Sequence, residues 1–88
     1  MDTSKGVFIN EANSELAGHI RKALARDGVR DKDIHEYDPA KIQKDSLVAM
    51  LQEKTATSTK VSLLRVSEVA EDGRPNLVPE KIIEGKAG

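Results

Sequence analysis

The sequence predicts a two-layer α+β domain, two helices packed on a small three-stranded antiparallel sheet in the order β-α-α-β-β. Three observations lead there. Leu16, Ile20, Ala23 and Leu24 recur at helical spacing between Ser14 and Asp27. A second helical pattern runs from Asp38 to Lys54, with Ala40, Leu47, Val48 and Leu51 on one stripe and Ile42, Ala49 and Met50 on an adjoining one. The last third holds a β-prone run, an Asp72-Gly73 turn signal and a returning apolar run.

Gly6-Val7-Phe8-Ile9-Asn10 is short and β-prone, and reads as the first strand. Asn13 or Ser14 can then cap a helix from Ser14 to Asp27 by accepting its free backbone N–H groups. Glu11 and Glu15 lie at the positive end of its dipole, with Arg21, Lys22 and Arg26 toward the negative end. Gly28 suits the left-handed residue that closes such a helix. Gly18, in the middle, costs about 1 kcal/mol relative to Ala and would permit close approach of another backbone.

Val29 to Tyr37 reads as a charged connector, pinned to the core by Val29 and Ile34. Asp38-Pro39 pairs an N-cap acid with proline at the first helical position, so a second helix is placed over Asp38–Lys54. Its two apolar stripes require cover on two sides, from the core or from a partner. Thr55 to Thr59 is a loop of small hydroxyl residues, and Lys60 to Val69 is the strongest strand. After the Asp72-Gly73 turn, Leu77, Val78, Ile82 and Ile83 return along it. Pro79 restricts this segment to an edge strand or starts one helical turn over Pro79-Glu80-Lys81.

Length and composition bound the function. The 88 residues suit a single small domain spanning 1–88, with 1–5 and 85–88 expected to fray. Aromatic residues make up 2% of the chain, so the core is built from Leu, Ile, Val and Ala. A core this lean invites self-association. The formal net charge is -1, and acids interleave with bases throughout, which gives no global attraction for nucleic acid. No segment before the first strand resembles a signal peptide, and no apolar run approaches the length of a membrane span. With no cysteine, these features suggest a soluble cytoplasmic protein.

Catalytic and metal chemistry find little to work with. His19 and His35 are far apart, and without cysteine they do not make up a zinc ligand set. Asp31, Asp33, His35 and Asp38 alternate like a calcium loop, but Glu36 stands where glycine is needed and Ile42 where a bidentate acid is needed. Ser46 and the Thr55–Thr59 cluster are explained by helix and turn chemistry rather than as activated nucleophiles. The expectation is a protein that is not an enzyme and holds no cofactor or metal.

Surplus apolar surface on the second helix points to a regulatory or adaptor protein working through protein–protein contacts, with a partner or with its own copy. Ile42 and Met50 would sit at the centre of that contact and Lys41 and Lys54 at its rim. The alternative is a DNA-binding transcriptional regulator of winged-helix or ribbon-helix-helix-like architecture. Arg21, Lys22, Arg26, Lys41 and Lys44 would then contact phosphates. The long connector and the acidic Glu71-Asp72 at the hairpin tip depart from both architectures, and nucleic acid is the less favoured partner.

Overall fold

The computed structural model describes residues 2–86. The elements run β1 (Val7–Ile9), α1 (Ser14–Arg26), a 3-10 turn (Asp31–Asp33), β2 (Ile34–Glu36), β3 (Leu47–Lys54), β4 (Ser58–Val69) and β5 (Pro75–Lys86). All five strands join one mixed sheet in the order β2-β1-β3-β4-β5. β1 runs parallel to both β2 and β3, while β3, β4 and β5 form an antiparallel meander.

This corrects the expected architecture. One helix stands on a five-stranded mixed sheet, where two helices on a three-stranded antiparallel sheet were expected. The Asp38–Lys54 helix does not form: a turn-rich segment leads into β3. Leu47-Val48-Ala49-Met50-Leu51 is an unbroken apolar run, and such a run also satisfies a strand buried on both faces. β3, flanked by β1 and β4, is such a strand over Leu47–Ala49, while Met50 is exposed. The Asp38 carboxylate accepts the Ala40 backbone N–H at 3.0 Å, and the Asp38 carbonyl accepts the Lys41 N–H at 2.9 Å. These bonds close an isolated turn as readily as they open a helix. Asp45 then adopts φ 72°, a left-handed conformation that a continuing helix excludes.

The connector also holds more order than its composition suggests. Ile34-His35-Glu36 is an edge strand, paired with β1 through Val7–Ile34 and Ile9–Glu36. Val29 and Ile34 are buried as expected. Of the termini expected to fray, Gly85 and Lys86 pair with Thr59 and Ser58 within β5, while Met1, Ala87 and Gly88 lie outside the described residues.

Parallel strands cannot be joined by a tight turn, so the chain crosses between β1 and β2 through α1. The helix starts where Asn13 Oδ1 accepts the Glu15 and Leu16 N–H groups, at 3.0 and 3.1 Å. Its stripe Ile20, Ala23 and Leu24 lies on Val7, Ile9, Leu47, Ala49, Val61, Leu63 and Ile83. The segment 37–46 crosses the opposite face, where Tyr37 and Ile42 cover Phe8, Val48 and Val66. β1 is therefore buried on both sides, which accounts for its unbroken Val-Phe-Ile. Gly6, ahead of β1, sits at φ +91°, and a Cβ there would come within 3.1 Å of the Phe8 ring and 3.2 Å of the His35 ring. No helix among the described residues is long and apolar enough to cross a membrane.

Candidate interaction surface

Cross-strand partners in a sheet share a face, and alternate residues along a strand return to it. The register of the meander places Met50 opposite Ser62, and Ser62 opposite Ile82. The next row is Val48, Leu64 and Pro79, followed by Val66 with Leu77 and, beyond a bulge, Val69 with Pro75. Val48 and Val66 belong to the cluster on the face away from α1. Every one of these rows therefore lies on that face.

Segment 37–46 covers only one corner of it, over Phe8, Val48 and Val66. The remainder of the meander is open. Its large apolar side chains are exposed: Met50 at 37%, Val69 at 37%, Leu77 at 38% and Ile82 at 58%. Leu64 and Pro79 join them into an apolar strip along the hairpin. At one end of the strip Lys60 pairs with Glu53 at 3.8 Å, which rims it with neutralised charge. The molecule is elongated along this ribbon, with extents of 43 × 22 × 21 Å.

The free edge of β5 is a different matter. It carries Pro75, Pro79, Glu80, Lys81 and Glu84, the residues that discourage another strand from pairing. The open face, more than the edge, is thus what this sheet offers to another molecule.

The sequence placed Ile42, Met50, Lys41 and Lys54 around one contact. Met50 stands on the open face, whereas Ile42 is 8% exposed and completes the cluster beneath segment 37–46. Lys41 is exposed beside Ile42, and Lys54 is half-buried at the far end of β3, so the four do not form one patch. Leu77, Val69 and Ile82 were not assigned to the contact, although the Asp72-Gly73 turn fixes the register that lines them up. That turn is present, with the Ala70 N–H donating to the Arg74 carbonyl at 2.9 Å and Gly73 at φ +87°.

The five basic residues of the nucleic-acid alternative are also divided. Arg21, Lys22 and Arg26 lie on α1, against one face of the sheet, and Lys41 and Lys44 on the segment covering the other. Arg21 is paired with Asp31 at 3.0 Å. The helix that would have entered a groove is β3 and the turns before it.

A crevice of about 550 Å³ opens where β1 and β2 end beneath the first turns of α1, lined by Asn10, Glu11, Ala17, Gly18, Glu36 and Tyr37 among others. It lies outside the carboxyl ends of parallel strands, the usual place for a ligand in such sheets. Glu11 and Glu36 set themselves against any anion there, and Glu11 already accepts the Asn13 N–H at 3.0 Å. Away from these surfaces, the Ser4 backbone N–H holds the Asp2 carboxyl below the ordinary carboxylate range. No group of three or more metal-ligating side chains occurs among the described residues. Comparison with protein-family models, with curated proteins and with solved structures finds no match to this chain.

Proposed function

We propose that this is a small non-catalytic binding protein, a regulator or adaptor, whose open β3–β4–β5 face receives an apolar surface of another protein. One observation carries the reading. Among the described residues, the four exposed large hydrophobic side chains, Met50, Val69, Leu77 and Ile82, fall on the same uncovered face. Single exposed apolar residues are ordinary on a protein surface, but a contiguous strip of them marks a contact. The defended β5 edge supports docking onto the face over strand addition. A cytoplasmic setting accords with a chain that has no cysteine.

The test compares the wild-type chain with Met50→Lys and Ile82→Lys. Both side chains are exposed, so the folded core is spared. The wild-type chain is expected to retain a discrete protein partner in affinity capture, and each variant to lose it at unchanged melting temperature. Sedimentation at micromolar concentration tells whether the occupant is instead a second copy, in which case the same variants return a doubled mass to that of the monomer. A wild-type chain that stays monomeric and captures nothing the variants lose would refute the proposal.

A further inference from the structure

Behind the helix, on the face opposite the apolar strip, His19, Lys22 and Lys54 gather around one crevice, and none of the three is ion-paired among the described residues. His19, Lys22, Ala23 and Arg26 share one side of α1, at spacings of three and four residues. They overhang the point where β3 ends at Lys54, β4 passes Thr59 and β5 passes Gly85. Together these residues line a crevice of about 230 Å³. None of its described lining residues is acidic.

Several cations elsewhere are neutralised, although Lys5, Lys32, Lys41 and Lys44 form no ion pair among the described residues. Arg21 pairs with Asp31, Lys81 with Asp27, Lys60 with Glu53, and Arg65 with both Asp45 and Glu80. His19, Lys22 and Lys54 form no ion pair among the described residues. The Lys54 ammonium donates to the neighbouring Thr55 carbonyl and keeps two further protons to offer. Lys54 is half-buried, so its charge acts where water screens it less than at an open surface.

A second observation points the same way. Thr59 is only 8% exposed, yet it lines this crevice. Its hydroxyl has no hydrogen-bond partner among the described residues, and no buried side-chain polar atom there is cut off from both partner and solvent. The crevice is what remains for that hydroxyl to face. Glycine at position 85 keeps the floor low: a Cβ there would lie 3.5 Å from the Arg26 guanidinium and 3.9 Å from the Ala23 methyl.

The geometry points to an oxyanion site, taking the phosphoryl group of a small phosphorylated molecule. Lys22 and Lys54 supply charge from opposite walls, His19 adds an imidazole N–H, and the Thr59 hydroxyl donates from the floor. The crevice flanks the negative half of the helix dipole, so attraction comes from the side chains and not from the helix end. Binding is accordingly steep in salt.

The test is an amide NMR titration of the full chain with inorganic phosphate, then pyrophosphate, at low ionic strength. Saturable shifts are expected at His19, Lys22, Lys54, Thr59 and Gly85, with little change at Lys32, Lys41 and Lys44. Lys22→Glu and Lys54→Glu, both on solvent-accessible side chains, should each weaken binding by about tenfold or more. Thr59→Val should weaken it while Thr59→Ser retains it. Equal shifts at Lys32, Lys41 and Lys44, or affinity unchanged in the Lys22→Glu/Lys54→Glu double variant, would overturn the site. A short DNA duplex that binds more tightly than pyrophosphate, and shifts Lys41 and Lys44 together with the crevice, would overturn the small-ligand assignment.

Discussion

The Ser46 hydroxyl donates to the backbone carbonyl of Lys5 at 3.0 Å, joining the residue before β3 to the residue before Gly6. Ser46 is 0% exposed. Its Oγ also accepts the Gln43 backbone N–H at 3.2 Å, and its own carbonyl accepts the Val66 N–H at 2.8 Å. One small side chain thus ties the starts of β1 and β3 and the segment crossing the sheet. Ser46→Ala leaves two part-buried backbone groups, the Lys5 carbonyl and the Gln43 N–H, without this partner. It is expected to cost about 1–3 kcal/mol in urea unfolding, against the few tenths typical of an exposed serine.

Two glycines should respond to alanine in opposite senses. Gly18 is helical, and a Cβ there would meet nothing within 4 Å. The close backbone approach its place in the sequence suggested is therefore absent among the described residues. Gly18→Ala should raise stability by about 0.5–1 kcal/mol. At Gly6, with φ +91° and two rings within 3.2 Å of the added methyl, alanine should destabilise by more than about 1 kcal/mol. Thermal denaturation of the pair reads both signs.

Ile42 and Met50 were read as neighbours on one helix face, and the structure separates their energetics. Ile42→Ala empties part of the cluster with Phe8, Val48 and Val66 and should cost about 2–4 kcal/mol. Met50→Ala removes an exposed side chain and should cost less than about 1 kcal/mol. Equal costs in chemical denaturation would mean that the open face is covered in the free protein.

The helix start offers a further check. Asn13→Ala leaves the Glu15 and Leu16 N–H groups without their side-chain acceptor and should lower stability by about 1 kcal/mol. Helical circular dichroism should fall with it if the first turn frays.

What could be read from the sequence was whatever a short segment decides alone. The cap at Asn13, the stripe Ile20–Ala23–Leu24 and the turn at Gly73 all stand where local chemistry put them. β3 was not legible because Leu47–Leu51 fits helix and strand alike. The choice was made by β1, which lies far off in the chain and supplies the parallel partner. β2 escaped because one buried residue, Ile34, leaves no alternation to detect. The apolar strip was half visible: Met50 stood out as surplus, but its companions Leu77 and Ile82 meet it only through the register of two hairpins. The cation crevice joins one helix to three strand segments, and no spacing along the chain records that convergence.

β1 has a neighbour on each side, and both come later in the chain than β1 itself. During synthesis, Val7 and Ile9 leave the ribosome well before Leu47 and Ala49, the residues that complete their sheet. The β3–β4 and β4–β5 pairings, by contrast, join consecutive strands and can zip together as each emerges. A growing chain halted before β3 would hold a greasy, unfinished strand, so truncated products of this protein are natural clients for chaperones in a way the mature molecule is not.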